Sequence, residues 1–275
     1  MPGISFEVGT PKEWHGVMKI LVCVKQVPDI ERIVVRDGPD GMAALDISGE
    51  FRLNRFDEFA VEEAVRIKET MARVHIDAIT VGPEPAAQVL KRPMGMGADE
   101  GIHLQTSTDK DPGPEAVAAW IATYARPRGY ALILCGSMSE DGMHGQVGPM
   151  LAARLGLPYA TQVIALTPAS DPAGLSIERE IEGGVREVLE IRMPALLTIQ
   201  PGINRPRYPS LSRLLRANRQ KLETISTDTL EPVGTLIDCL GLVVPEQRRA
   251  SQVLTGSALE KADQLTAILK EKAFL

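Results

Sequence analysis

Two segments of the chain are candidates for holding a ligand, and one of them carries residue types suited to a phosphate. The first runs Cys135-Gly-Ser-Met-Ser-Glu-Asp-Gly-Met-His-Gly-Gln-Val-Gly-Pro149, with glycines at 136, 142, 145 and 148 and a helical pattern from Pro149 to Leu155. Glycine lets backbone N–H groups approach an anion closely, and a helix N-terminus adds unpaired donors and the positive end of the helix dipole. The second is Lys25-Gln-Val-Pro-Asp29, which directly follows the first apolar run. The glycine loop matches neither GxGxxG nor the Walker pattern. On spacing alone a plain surface loop is the default reading, and a phosphate cradle the sharper one.

Other reactive side chains read blandly. His144 stands alone in the glycine loop, without a Ser/Asp triad or metal-ligand spacing around it, and is expected in solvent. The paired acids Glu62 and Glu63 lie on an amphipathic pattern and are expected on its solvated face. Six basic residues fall between Arg205 and Lys221, yet only Tyr208 among them could stack on a base, and the net charge is -6. A protein or phosphate contact is therefore favoured over nucleic acid. The three cysteines, Cys23, Cys135 and Cys239, show no CxxC or zinc spacing, and the first two sit in apolar runs, as reduced core residues would. With no nucleophile–base pair and no metal cluster, the chain would lack visible machinery as an enzyme.

The elements that must position these segments follow from periodicity. Short apolar runs at Lys19–Lys25, His75–Val81, Gly101–Leu104 and Tyr130–Cys135 read as buried strands. Helical patterns lie between them. Phe56, Phe59, Ala60, Ala64, Ile67 and Met71 mark one; about Glu84 to Met94 and Pro114 to Ala125 mark two more. A polar stretch, Arg36 to Glu50, reads as a loop or small hairpin. Alternating strands and helices with continuous apolar strands imply an α/β, doubly wound, mostly parallel Rossmann-like sheet. Its ligand crevice should lie beyond the strands' carboxyl ends. Past Gly156 the pattern changes. Thr161–Leu166 is a strand, Leu175–Ile181 and Val185–Ile191 form an antiparallel hairpin about Glu182-Gly183-Gly184, and Pro194–Ile199 is one more strand. Asn204 to Lys221 is basic, and Glu223 to Arg249 reads as an irregular tail. Ser257-Ala-Leu-Glu260 is a capping box opening a last helix.

At 275 residues, one large domain or a domain with an appendage is expected. We expect an N-terminal extension over 1–18, the α/β domain over 19–221 and a C-terminal arm with its helix over 222–275. Met1 to Met18 lacks a basic segment followed by an apolar one, so no secretion signal is read there. No apolar run approaches the ~20 residues that span a bilayer. A cytoplasmic location is expected.

Four stretches then resemble the electron-transfer flavoprotein beta family. They are Lys19-Ile-Leu-Val-Cys-Val-Lys-Gln-Val-Pro-Asp29, Leu53-Asn-Arg-Phe-Asp-Glu-Phe-Ala-Val-Glu-Glu-Ala-Val-Arg66, Met96-Gly-Ala-Asp99, and Glu178-Arg-Glu-Ile-Glu-Gly-Gly184 with Met193-Pro-Ala-Leu-Leu-Thr198. A fifth, Asn204-Arg-Pro-Arg-Tyr-Pro-Ser-Leu211, resembles the segment before the family's basic stretch. They occur in order over roughly Lys19 to Lys221. The resemblance implies an adenine-nucleotide-binding domain paired with an alpha subunit that holds the redox-active FAD. By matching positions, Cys23 offers backbone to the adenine, Asn54, Arg55, Phe56 and Asp57 lie beside it, and Val81 closes the pocket. Asp141, Gly142, Met143, His144, Gly145, Gln146, Val147, Gly148, Pro149 and Met150 take the phosphates. Leu211 docks partner dehydrogenases, acyl-CoA-type or other, with Arg213 and Arg216 steering acidic surfaces. Electrons then pass to a quinone-side oxidoreductase, and the C-terminal arm wraps the alpha subunit.

The resemblance leaves the occupant of this subunit open between AMP and a second FAD. AMP-holding members usually carry Asp-Tyr soon after the first strand, where this chain has Pro28-Asp29. Lys25–Asp29 and Gln146–Pro149 look more like members with a second FAD, some of which bifurcate electrons from NADH. Against that, Asp141-Gly-Met-His144 stands where Asp-Gly-Asp-Thr is usual, and Arg55 where proline is. FAD is slightly favoured. A rival of another class is a stand-alone nucleotide-binding regulator resembling universal stress proteins.

Overall fold

The computed structural model describes residues 17–37, 43–46, 51–71, 73–108, 111–169, 173–234, 241, 243 and 251–274. The expected extension over 1–18 lies outside these except for Val17 and Met18, and Cys239 lies outside them as well.

Strand β1 (Met18–Cys23) is followed by β2 (Gln26–Pro28), β3 (Val34–Asp37), β4 (Ala43–Asp46) and β5 (Phe51–Leu53). Helix α1 (Arg55–Thr70) leads to β6 (Val74–Gly82), α2 (Lys91–Met96), β7 (Glu100–Gln105), α3 (Gly113–Ala125), β8 (Leu132–Gly136) and α4 (Val147–Leu155). Then come β9 (Tyr159–Pro168), β10 (Gly174–Ile181), β11 (Val185–Arg192), β12 (Ala195–Ile199), α5 (Leu211–Arg219), β13 (Glu223–Ser226) and α6 (Ala258–Glu271). Nine strands form one sheet in the order β11-β10-β9-β12-β8-β1-β6-β7-β13, and β2–β5 and β3–β4 are separate two-stranded ribbons. From β9 to β13 along that order the strands are parallel, while β10 and β11 add the expected antiparallel hairpin.

The sheet is covered on both faces because its strands are apolar on both. Ile20 and Val22 join Ile76, Leu134 and the Ala60, Val61 and Ala64 face of α1 in one cluster. Leu21 and Cys23 join Ile79, Ile133 and residues of α3 and α4 in the other. This period-2 split of β1 between two cores is what a central parallel strand requires.

Four sequence expectations change. The helix expected from about Glu84 to Met94 is a 3-10 stretch, Glu84–Leu90, followed by α2. Pro93, lacking an N–H, fits the first turn of a new helix better than the interior of a longer one. The basic stretch holds α5, whose N-cap Ser210 accepts the Arg213 N–H. The segment read as an irregular tail opens with β13, paired to β7 at the sheet edge, so the sheet continues past the expected boundary at 221. Glu62 and Glu63 are not solvated: they are 4% and 5% exposed. The polar stretch from Arg36 contributes to the β3–β4 ribbon, a small hairpin in its described part.

The chain divides into two compact units, Met1–Val35 with Leu45–Leu240, and Arg36–Ala44 with Gly241–Leu275. In the smaller unit α6 begins with the expected capping box, the Ser257 hydroxyl accepting the Glu260 N–H and the Glu260 carboxylate accepting the Ser257 N–H. Its Leu259 and Leu265 are exposed. No helix among the described residues is long and apolar enough to cross a membrane.

Candidate functional site

β1 pairs with β6 on one side and β8 on the other, so strand order reverses at β1. That reversal splays the following connections apart and opens a crevice at the carboxyl ends. Cys23 stands there in register with Ile79 of β6 and Cys135 of β8.

Two residues at the start of α1 frame this crevice. Asp57 Oδ2 accepts the Lys25 N–H at 2.8 Å, and Oδ1 accepts the Gly136 N–H at 3.0 Å. One carboxylate thus ties the exit of β1 to the exit of β8. Burial, outweighing the bonds from Lys25, Asn54 and Gly136, pushes the Asp57 pKa up to about 7. Asn54 is the N-cap of α1 but does not cap it with its side chain. Its Nδ2 donates to the Met138 carbonyl at 2.9 Å and its Oδ1 accepts the Glu140 N–H at 3.1 Å, which fixes the start of the glycine loop.

The loop is acidic, and each acid has a cation or donor. Lys25 Nζ is 2.7 Å from Asp141 Oδ2 and 3.8 Å from Asp111 Oδ2. Partial burial opposes ionisation of Asp141, yet bonds from Lys25, Ser139 and Gly142 hold its carboxyl below the ordinary range. Glu140 accepts from Arg52 and from the Arg55 N–H, each at 3.2 Å. Met143 adopts a left-handed φ of 53° and is 66% exposed. Gly145 is left-handed too, at 61°, a conformation that costs glycine little. His144 is exposed, as expected. The Gln146 N-cap of α4 makes no side-chain cap bond. The first-turn N–H groups of Val147 and Gly148, which have no intrahelical acceptors, therefore face the loop uncapped. Gly148 packs so close to β12 that a Cβ would lie 2.5 Å from Thr198 Cγ2.

The uncapped backbone donors and the nearby cation suit an anion, and among the described residues the site's thiols are not activated. Cys23 and Cys135 are free and buried, and the hydrogen bond between them, with burial, pushes the Cys135 thiol well above its ordinary range. Such a thiol is inert. The uncapped start of α4, the Lys25 ammonium paired with Asp141 of the preceding loop and the switch point fit the phosphates of an adenine nucleotide, with Cys23 and Val81 at the adjoining strand ends.

The structure brings together Cys23, Asn54, Arg55, Phe56, Asp57 and the Asp141–Met150 segment around one crevice. Arg55 is exposed and Phe56 half-buried; Asp57 has both oxygens committed to backbone and acts as frame. Leu211, Arg213 and Arg216 lie elsewhere. Their helix α5 packs on α2 at the amino end of β7, where the Gln220 amide reaches the Asp99 carbonyl. The sequence names Gly136, Glu140 and Lys25 only within their segments, and the family resemblance gives none of the three a role of its own. The position of Lys25 directly after the first strand was the available signal. Among the described residues, His75, Asp77 and Glu100 bring ligand-type atoms within 4.8 Å of one another. Asp77 there is satisfied by the Tyr130 hydroxyl at 2.6 Å and His75 at 3.0 Å.

Comparison with known proteins identifies the family. The family model for the electron transfer flavoprotein domain matches residues 44–230. The electron transfer flavoprotein subunit beta of Bacillus subtilis (strain 168) is 32% identical over 262 residues, 93% of this chain and 99% of that protein. The human subunit beta is 32% identical over 257 residues, covering 92% and 97%. The mitochondrial subunit beta of Oryza sativa subsp. japonica is 32% identical over 261 residues, covering 93% and 99%. Matched across nearly its whole length and over nearly all of each relative, the chain belongs to the electron transfer flavoprotein beta family.

Proposed function

We propose that this chain holds an adenine nucleotide at the β1/β8 switch point and pairs with an alpha subunit to shuttle electrons from dehydrogenases to a quinone-side oxidoreductase. The observation that carries the nucleotide site is the uncapped start of α4 at the end of a loop whose Asp141 is paired with Lys25. When bound in the alpha subunit, FAD supplies the redox chemistry. The residues of this chain orient the second nucleotide. Lys25 and the N–H groups of Val147 and Gly148 meet its phosphates, Cys23 and Val81 flank the adenine, and Asp57 keeps the strand ends at their spacing. The chain beyond β13 is the arm toward the alpha subunit, with the exposed Leu259 and Leu265 of α6 as its apolar contacts. Dehydrogenases dock at α5 through Leu211, 73% exposed, with Arg213 and Arg216 beside it. A cytoplasmic location accords with the free, reduced Cys23 and Cys135.

FAD is the favoured occupant over AMP, on Pro28-Asp29 and Gln146–Pro149, and an NADH-linked bifurcating role is the second reading that those residues support. Co-expression with the alpha subunit, followed by denaturation and counting of FAD against AMP, tests both. Two FAD per heterodimer is the expected result; one FAD and one AMP would remove the second-flavin reading. A flavin-free monomer that does not pair with an alpha subunit would remove the shuttle itself.

A further inference from the structure

α5 is a short helix with little burial of its own: Ala217 is its one buried residue. Its far end is held by Lys91, whose ammonium donates to the carbonyls of Ala217 at 3.1 Å and Gln220 at 3.0 Å. Its near end is held by a residue outside the helix. Arg207 lies four positions before Leu211 and reaches across to α1. Its backbone N–H donates to Glu62 Oε2 at 3.0 Å, Nε to the same oxygen at 2.9 Å, and Nη2 to Glu62 Oε1 at 2.9 Å. The guanidinium also engages the Glu69 carboxylate, about two turns further along α1, through Nη2 at 2.9 Å and through Nη1.

Those contacts use the guanidinium as a planar fork shared between two carboxylates, a geometry that lysine cannot reproduce. The Glu62 side chain is 6% exposed and Arg207 27%, so this pair is sheltered from solvent, unlike an ordinary surface pair. Asn204, three residues earlier, adds a second tether: its amide donates to the Phe59 carbonyl at 3.0 Å and Glu63 Oε2 at 2.9 Å. The segment from Asn204 to Ser210 is thereby laid along α1 as a strap, stiffened by Pro206 and Pro209. Leu211 emerges from its end, 73% exposed.

We infer that Arg207, clamped between Glu62 and Glu69, is a positioning residue that sets the pose in which α5 presents Leu211 to a partner dehydrogenase. This rests on the docking reading of Leu211. A docking side chain on a mobile support loses affinity to the ordering that binding then demands. The strap removes that cost by ordering the support beforehand on the helix that also frames the nucleotide crevice.

The test uses the full heterodimer and a purified acyl-CoA dehydrogenase that reduces the wild-type protein. Arg207→Lys keeps a charge opposite Glu62 but breaks the fork, and the double change Glu62→Gln with Arg207→Gln removes the clamp without leaving a lone buried carboxylate. Both are expected to weaken dehydrogenase binding about tenfold, to raise amide exchange in residues 211–219, and to leave flavin and nucleotide content unchanged. In a Leu211→Ala background the same changes should cost less than about twofold, because a side chain that acts through Leu211 has nothing left to position. Equal losses in both backgrounds would overturn the inference, as would wild-type binding by both clamp variants while Leu211→Ala alone binds weakly. If Leu211→Ala itself binds like wild type, the docking reading falls first and takes the inference with it.

Discussion

Asp57 and Gly136 meet without a gap: Oδ1 accepts the glycine N–H at 3.0 Å, and a Cβ on Gly136 would collide with that oxygen and lie 2.8 Å from the Phe56 backbone. The contact joins the first turn of α1 to the end of β8, so the width of the crevice depends on two residues far apart in sequence.

Gly136→Ala is therefore expected to destabilise the protein by about 1–3 kcal/mol, the usual range for overpacking a closed site. It should also lower nucleotide retention. Thermal melts of the heterodimer and nucleotide release on denaturation check both. An alanine variant with wild-type melting and full nucleotide content would contradict the tight contact.

The raised Asp57 pKa, about 7, predicts a pH dependence. Below the unfolded value of about 4 the carboxyl is protonated in both states and contributes its full stabilisation. Between about 4 and 7 the native state keeps the proton that the unfolded chain has lost, so this contribution falls by about 1.4 kcal/mol per pH unit as pH rises. Above about 7 it is gone. The stability difference between wild type and Asp57→Asn should shrink from pH 4.5 to 7 and stay level from 7 to 8.5. Chemical denaturation across that range measures it; a difference that grows with pH would show that the backbone donors dominate instead of burial.

Lys25→Met should separate stability from binding. The Lys25–Asp141 pair is partly exposed, at 39% and 28%, so its loss should cost no more than about 1 kcal/mol of folding stability. Removing the cation beside the loop, however, leaves the ionised Asp141 facing the nucleotide's phosphates. Nucleotide affinity, read by rebinding of AMP or FAD to stripped protein, is expected to drop at least tenfold. Unchanged rebinding would mean that the phosphates do not lie beside Lys25.

Leu211→Ala makes the opposite split. A side chain 73% exposed contributes within about 0.5 kcal/mol to folding. An anchor seated in a partner's pocket is worth about 2 kcal/mol or more on binding. Dehydrogenase-coupled flavin reduction should show a raised KM at an unchanged melting temperature.

Much of this architecture is legible in the residues. Ile20, Leu21 and Val22 form an apolar run because both faces of β1 are buried, and a run of that kind has few other readings. The glycine loop is visible because its glycines cluster. What the chain hides are pairings between distant segments. Glu62 and Glu63 look like a solvated face because their partners, Arg207 and Asn204, lie more than 140 positions away. Asp57 looks like an ordinary acid in a helix's first turn, and only the fold brings Gly136 against it. α5 is masked by Arg213, Arg216 and Arg219, whose spacing dominates the pattern, although Ser210 as a cap and Leu214 and Ala217 on the inner side mark a helix. β13, four residues with three polar side chains, carries too little signal for an edge strand.

The place of β12 in the sheet has a consequence for how the protein is born on the ribosome. β9 meets the remainder of the sheet only through β12, and β12 is made after β9, β10 and β11. The antiparallel meander thus leaves the exit tunnel as an orphan, with its apolar inner face waiting for a strand that has yet to be synthesised. β12 also supplies the Ile199 carbonyl that receives the Ser137 N–H, and Thr198, which backs Gly148. The crevice is closed from behind only when that strand slides between β8 and β9. A nascent chain stalled before residue 195 would hold every glycine of the loop and still have no finished site to load.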